Sequence, residues 1–196
     1  MIILGTKNPN KVREIQKLLG YEIGSVPDHI PESPESHETY AENAAQKAAF
    51  YAAKTGHFCL ADDSGLEVDA LNGIPGVHSA YYAGMTATPQ QNCAKLLEAM
   101  KDAPEGERTA RYRCFLALSD PAGKILATSE GVVEGIILKE KRGKGEFAYD
   151  PIFEVNGKTL AELTLDEKSA INHRGMAIRD MKDKIAKLVR PCCGGH

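Results

Sequence analysis

Short apolar runs alternate along the chain with amphipathic stretches, the pattern of strands interleaved with helices. Ile2-Ile3-Leu4 predicts a buried first strand. A polar loop follows from Gly5 to Lys11. Val12, Ile15, Leu18 and Leu19 then share one side of a helix that Asn8 caps and Pro9 opens. Tyr21 to Val26 predicts a second strand, and Pro27 to Glu38 a polar, acidic loop. Thr39 to Glu42 reads as a capping box that opens an Ala-rich helix running to about Lys54 and closed by Gly56.

The stretch from Phe58 to Gly76 stands apart. Phe58 to Ala61 is an apolar run that stops on two adjacent carboxylates, Asp62 and Asp63. The chain is then expected to turn at Ser64-Gly65, with Gly65 at positive φ, and to resume as a strand with Leu66, Val68 and Ala70 on one face. Strand alternation sends Asp62 and Asp63 to opposite sides, so one can face a cleft while the other serves the backbone. An Asx-turn accounts for one of them but not for two, since ionised carboxylates beside apolar strand need a cation or several donors.

Beyond a turn-rich segment from Pro75 to Gly84, Thr88 and Pro89 cap and open a helix that turns Cys93, Leu96, Leu97 and Met100 inward. Ala110 to Ser119 and Lys124 to Leu138 predict two strands joined by a hairpin-like turn at Asp120-Pro121-Ala122-Gly123. A basic loop, Lys139 to Glu146, leads to the turn Phe147-Ala148-Tyr149-Asp150-Pro151 and a strand from Ile152 to Val155. The last helix, after Gly175, is expected to bury Ala177, Ile178, Met181, Ile185, Leu188 and Val189; Pro191 stops it, and Cys192 to His196 reads as a frayed tail.

Composition narrows the function classes. With 196 residues, 42% of them hydrophobic, the chain fits one domain, 1–190, with 191–196 as a tail. Lys and Arg number 24 against 27 acidic residues, a net charge of −3 that gives no overall attraction to nucleic acid or anionic membrane. An anionic ligand must be held by local cations or a metal. No apolar run is long enough to span a bilayer and the start lacks the charges of a signal peptide, so a cytoplasmic protein is expected. The five cysteines are scattered without a CxxC, which argues against a disulfide scaffold.

Several segments carry candidate chemistry. The loop before the first helix is a ready anion site, because free amides and the helix dipole point into it while Lys7 and Lys11 add charge. Pro9 removes one donor there, which shifts the holding to the side chains of Thr6, Asn8 and Lys11. Glu42 can bond back to the Thr39 amide or join a metal, and from its own segment the cap is the better reading. Phe147 and Tyr149 read as core before they read as stacking platforms. Lys168, His173 and Arg174 sit at the start of the last helix, the wrong end for cations, and that mismatch favours function over solvation. Gly143-Lys144-Gly145-Glu146-Phe147-Ala148 superficially fits G-x-G-x-x-A but neither follows the first strand of a βαβ unit nor opens a helix, and no Walker A spacing occurs.

Together these segments resemble the inosine triphosphate pyrophosphatase family, which hydrolyses non-standard purine nucleoside triphosphates. The resemblance runs through T-K-N-x-x-K at Thr6 to Lys11, Y-A-E-N-A at Tyr40 to Ala44, A-D-D-S-G-L-x-V-D-A-L at Ala61 to Leu71 with P-G-V-x-S-A after it, F-A-Y-D-P-I-F at Phe147 to Phe153 and E-K-S-A-I-x-H-R-G at Glu167 to Gly175. It implies an α/β fold with an elongated mixed β-sheet flanked by helices, two lobes around an active-site cleft, a homodimer, and Mg²⁺-dependent release of pyrophosphate from ITP, dITP or XTP. By position it puts the phosphates on the loop Thr6, Lys7, Asn8, Pro9, Asn10 and Lys11 and on Ser64, the metal on Glu42 and Asp63, and the catalytic base at Asp63. Phe147 would stack on the purine, with Ala148, Tyr149, Asp150, Lys168, His173 and Arg174 around the base. Two departures stand out: Tyr81 where the family usually has Arg, and Asn172 where it has Ser. Arg174 and Lys168 only donate hydrogen bonds, so they suit a 6-oxo purine and clash with the 6-amino group of adenine. Nothing in the sequence accounts for rejection of the guanine 2-amino group. The other readings are a nucleotide sensor without turnover and a pyrophosphatase for other modified nucleotides.

Overall fold

The computed structural model describes residues 1–20, 23–145 and 147–189. Local signals set most of the helix starts. Asn8 accepts hydrogen bonds from the Asn10 and Lys11 amides and Pro9 opens α1 (Pro9–Leu19), whose Ile15 and Leu19 are buried. The strand of three residues before it, β1 (Ile2–Leu4), pairs in parallel with β2 (Gly24–Ser25), which is shorter than the predicted second strand; Tyr21 and Glu22 lie outside the described residues. Thr39 caps α2 (Tyr40–Thr55), and Gly56 closes it at φ 69°.

The central strand β3 (Phe58–Val68) runs unbroken through Asp62, Asp63, Ser64 and Gly65. No turn forms at Ser64-Gly65, and Ala70 falls in a 3-10 turn with no buried residue rather than on the strand face. The glycine is required by a neighbour instead: a Cβ on Gly65 would lie 2.3 Å from the Gly76 carbonyl oxygen in β4 (Pro75–Gly76), which pairs antiparallel with β3. After α3 (Pro89–Ala99), which carries a complete Thr88–Gln91 capping box, the predicted hairpin forms as β5 (Thr109–Ser119) and β6 (Ile125–Ile137). Two short strands, β7 (Phe153–Val155) and β8 (Lys158–Thr159), complete a mixed eight-stranded sheet in the order β2-β1-β3-β5-β6-β7-β8, with β4 off β3.

Two helices rather than one end the described chain, α4 (Leu165–Ile171) and α5 (His173–Val189). Ala177, Ile178, Met181 and Ile185 of α5 pack with Leu60, Leu116 and Leu118 on one face of the sheet. Leu188, expected in the core, is 51% exposed; the side chain of Val189 and the tail 191–196 lie outside the described residues. On the other face, Ala44 and Ala48 of α2 meet Ala61 and Ala117. Four small side chains let this helix approach the backbone of β3 beside Asp63. A second, separate core, built on Leu66, Val68, Leu96, Tyr112 and Phe153, fills the far end of the sheet.

The turn that precedes β7 stores strain. Ala148 sits at φ 49°, and its carbonyl accepts a hydrogen bond from Cys93 Sγ at 3.3 Å. A Cβ in the left-handed region costs about 1–2 kcal/mol, offset in part by the extra freedom that glycine brings to the unfolded chain. Ala148→Gly is therefore expected to raise the urea midpoint, by a net gain of up to about 1 kcal/mol.

Candidate active site

The strand-to-helix loop is fixed from both ends. Gly5 N donates to Leu60 O at 2.8 Å, which delivers residues 6–11 beside β3. Thr6 Oγ1 accepts the Asn8 amide at 3.2 Å, so part of the predicted phosphate set holds the loop itself. Lys7 Nζ donates to the carbonyls of Ile30, at 2.8 Å, and Asp28, at 3.3 Å, tying down the acidic loop 27–38. Thr6, Lys7, Asn8, Pro9, Asn10 and Lys11 all line a cavity of about 880 Å³ whose other walls include Glu35, Lys47, Tyr51 and Tyr81.

A smaller cavity, about 250 Å³, adjoins it and shares Asn8, Asn10, Lys11 and Ala80. Its walls carry Ser64, Phe147, Ala148, Tyr149, His173 and Arg174. The sequence motifs that are farthest apart thus meet along one groove. Phe147 is half-buried with Lys168 Nζ 4.7 Å and Arg174 Cζ 5.9 Å from its ring centre. Its open face suits stacking. Tyr149 is a core residue, 1% exposed, and its hydroxyl donates to Ser79 O at 2.8 Å. Asp150 is buried behind it and paired with Lys168; burial pushes its carboxyl up against that pairing.

The cations at the start of α5 are explained by burial. Gly131 on β6 admits the helix, since a Cβ there would lie 2.0 Å from the His173 carbonyl oxygen. Arg174 is 1% exposed: Nη1 donates to Glu14 Oε2 at 2.7 Å, Nη2 to Ser64 Oγ at 3.2 Å, and Nε lies 3.5 Å from Asp62 Oδ2. His173 stacks flat on Tyr112, with ring centres 4.6 Å apart. Burial, then the charges of Arg174 and Lys168, hold its imidazole neutral well below the usual range. Its Nδ1 is buried without a hydrogen-bond partner among the described residues.

Asp62 and Asp63 divide as strand alternation requires. Asp62 is 1% exposed and pairs with Lys11 Nζ at 3.0 Å. Burial alone would raise its carboxyl, but Lys11, Arg174 and Lys47 overcome that and hold it well below the usual range. Asp63 faces the α2 side. One oxygen accepts its neighbour's amide, Ser64 N, at 3.0 Å; the other, Oδ2, is buried with no hydrogen-bond partner among the described residues. Burial raises its pKa to about 6 against the pull of Lys47 and Lys11, with Glu35 and Asp62 adding to the rise. An orphaned carboxylate oxygen with a second carboxylate nearby is a donor set that fits a hard cation.

Glu35 is a carboxylate whose charge reaches Asp63. Glu42 is exposed, its carboxylate accepting the Thr39 hydroxyl at 2.7 Å, and like Asp63 it is not on the wall of either cavity. The box is half formed, since the Thr39 amide is not its partner. Glu35 pairs with Lys47, which also donates to Asp62 O at 3.1 Å, and both line the larger cavity. Sequence reading missed two further residues. Lys47 is a buried cation within an Ala-rich helix, and Glu14 is a buried carboxylate on α1. Asn172, at the family's usual Ser position, takes the Gly175 amide on Oδ1 at 2.7 Å and donates Nδ2 to Glu14 Oε1 at 2.6 Å. The signal was present for Glu14: three residues after Lys11 and four before Leu18, it shares their side of the helix.

Known proteins resemble this chain along nearly its whole length. A dITP/XTP pyrophosphatase of Desulforamulus reducens is 44% identical over 194 residues, spanning 95% of this chain and 96% of that protein. One from Exiguobacterium sibiricum is 46% identical over 195 residues, spanning 96% and 98%. A solved HAM1 protein from Coxiella burnetii superposes with a TM-score of 0.86 at 41% identity, covering 95% of this chain and 98% of that one. The dITP/XTP pyrophosphatase of Mycobacterium abscessus gives 0.71 at 35% identity, covering 97% and 99%. The Ham1 family model matches residues 2–184, and with full-length relatives at this identity the chain belongs to the Ham1 family.

Proposed function

We propose that this protein hydrolyses non-standard purine nucleoside triphosphates, ITP, dITP and XTP, to the monophosphate and pyrophosphate, and so clears them from the nucleotide pool. The observation that carries the reading is the single groove: a purine-sized cavity walled by Ser64, Phe147, His173 and Arg174 opens past Lys11 into a larger one lined by Lys7, Lys11 and Lys47, while the buried Asp63, next to Ser64 on β3, feels the charges of Lys47 and Lys11. Thr6, Asn8, Asn10, Lys11 and Ser64 hold the phosphates. Phe147 stacks on the base, and Arg174, Lys168 and His173 surround its 6-position. Asp63, poised near neutral pH, takes the proton from the attacking water as the bond to the pyrophosphate oxygen breaks.

Asp63 and Glu42, the pair the resemblance implies, would hold Mg²⁺, which when bound supplies charge neutralisation for the polyphosphate. The resemblance carries with it a cytoplasmic homodimer. A coupled pyrophosphate assay with ITP, dITP, XTP and ATP tests the reading. Release from ITP that requires Mg²⁺ and is lost with EDTA is expected, with kcat/KM for ATP lower by about 10²-fold or more, because a site built around donors leaves them unpaired against a 6-amino group. Tight ITP binding without pyrophosphate release would favour the sensor, and equal use of ATP and ITP would overturn the base assignment.

A further inference from the structure

The wall between the two cavities is a short turn, Ser79–Tyr81, and it is held from several sides. Ser79 Oγ donates to Gly76 O at 2.6 Å and accepts Leu66 N at 2.8 Å, while Tyr149 donates its hydroxyl to Ser79 O. Asn92 Nδ2 donates to Ala80 O at 3.0 Å, and its Oδ1 accepts the Ala83 amide at 2.8 Å. These partners lie on β3, β4, α3 and the turn before β7. A turn anchored to four elements presents the next side chain as a fixed platform.

That side chain is Tyr81, half-buried, on the wall of the larger cavity. Its hydroxyl lies 3.1 Å from His78 Nδ1, and the two rings are 5.5 Å apart. His78 is exposed and serves no core contact. Burial, then the charges of Glu35 and Asp63, raise the phenol's pKa. With Nδ1 protonated, His78 donates to the phenol oxygen and leaves the Tyr81 O–H free to point into the groove. A neutral donor on a cavity wall that also carries Lys7, Lys11 and Lys47 suits the oxygens of a polyphosphate.

We propose that Tyr81, oriented by His78, donates its hydroxyl to the terminal phosphates of the bound nucleotide and to the pyrophosphate that leaves. The proposal rests on the hydrolase reading but can be tested apart from it. Titrate the full-length protein, Tyr81→Phe, His78→Ala and the double variant calorimetrically with magnesium pyrophosphate and, separately, with IMP, and measure ITP kinetics in parallel. Tyr81→Phe is expected to weaken pyrophosphate binding about tenfold, the worth of one hydrogen bond to a charged acceptor, and to raise KM for ITP similarly with little change in kcat. IMP binding should stay within about twofold in every variant. His78→Ala should shift pyrophosphate binding the same way, and the double variant should be no weaker than Tyr81→Phe, since the two act as one unit. Pyrophosphate binding and KM in Tyr81→Phe within about twofold of the parent would overturn the proposal, as would a parent protein that binds no pyrophosphate. A parent that binds pyrophosphate but does not cleave ITP would sink the hydrolase reading alone.

Discussion

Asp63→Asn is expected to lose ITP turnover by about 10²–10⁴-fold, the span usual for a removed general base, while the protein unfolds at a higher temperature than the parent. The two effects have one cause. Asp63 is 6% exposed, and its pKa is raised from 3.8 to about 6, so the folded state binds this proton more tightly than the unfolded chain does. Stability then falls as pH rises between those two values and stays lower above them, by up to about 3 kcal/mol at about 1.4 kcal/mol per pH unit. Asparagine removes that cost and can still accept the Ser64 amide. For a chain of this length the gain amounts to several degrees in Tm at pH 7.5 without metal, and it should shrink as the pH is lowered toward 4. Asp62 works in the opposite sense and in a lower window, since its pKa is depressed: its contribution is present above the unfolded value and lost as pH falls below it. Pyrophosphate assays and thermal scans from pH 4 to 8 check both. Near-normal turnover would remove Asp63 from the chemistry, and a lower Tm at pH 7.5 would contradict a burial-raised carboxyl.

Features that a few neighbouring residues settle were legible in the sequence. Asn8-Pro9, Thr88-Pro89 and Gly56 place helix ends because a cap needs only its own turn, and the alternation of Asp62 and Asp63 needs only a strand. Features decided by a distant partner were not. Ser64-Gly65 has the composition of a turn, yet the Gly76 carbonyl approaching from β4 is what demands glycine there. Glu42 and Glu35 show the same limit. Both precede or begin α2, and the contacts each makes, Glu42 with the Thr39 hydroxyl and Glu35 with Lys47, are set by the fold and not by local composition. Loop 27–38 has no periodicity from which such a placement could be read. The last helix shows the limit of periodicity as well: its apolar period continues to Leu188, which is 51% exposed.

Glu14→Ala is expected to cost about 3–5 kcal/mol, the largest stability loss for a change that removes no core hydrocarbon, because it strands a buried cation. Glu14 is 4% exposed and Arg174 1%; removing the carboxylate deletes the 2.7 Å bond to Arg174 Nη1 and the 2.6 Å bond from Asn172. Arg174 would then lean on Asp62, which already neutralises Lys11. Burial opposes the ionised Glu14, but Arg174 and Asn172 hold its pKa below the usual 4.5, so its contribution is present above that value and disappears as pH falls through the folded value. Urea unfolding at pH 7.5 should show the full loss, and at pH 3 the gap should narrow. A loss below about 1 kcal/mol at pH 7.5 would mean that water reaches the pair. The double change Glu14→Leu with Arg174→Met separates fold from function, since replacing both members of a buried ion pair by apolar residues of similar size is often neutral or stabilising. It should recover most of the stability lost in Glu14→Ala yet leave ITP turnover low, with the residual kcat/KM for ITP close to that for ATP. That outcome would place the worth of the buried pair in holding a guanidinium against the purine cavity rather than in holding the fold; full recovery of ITP turnover would remove Arg174 from recognition.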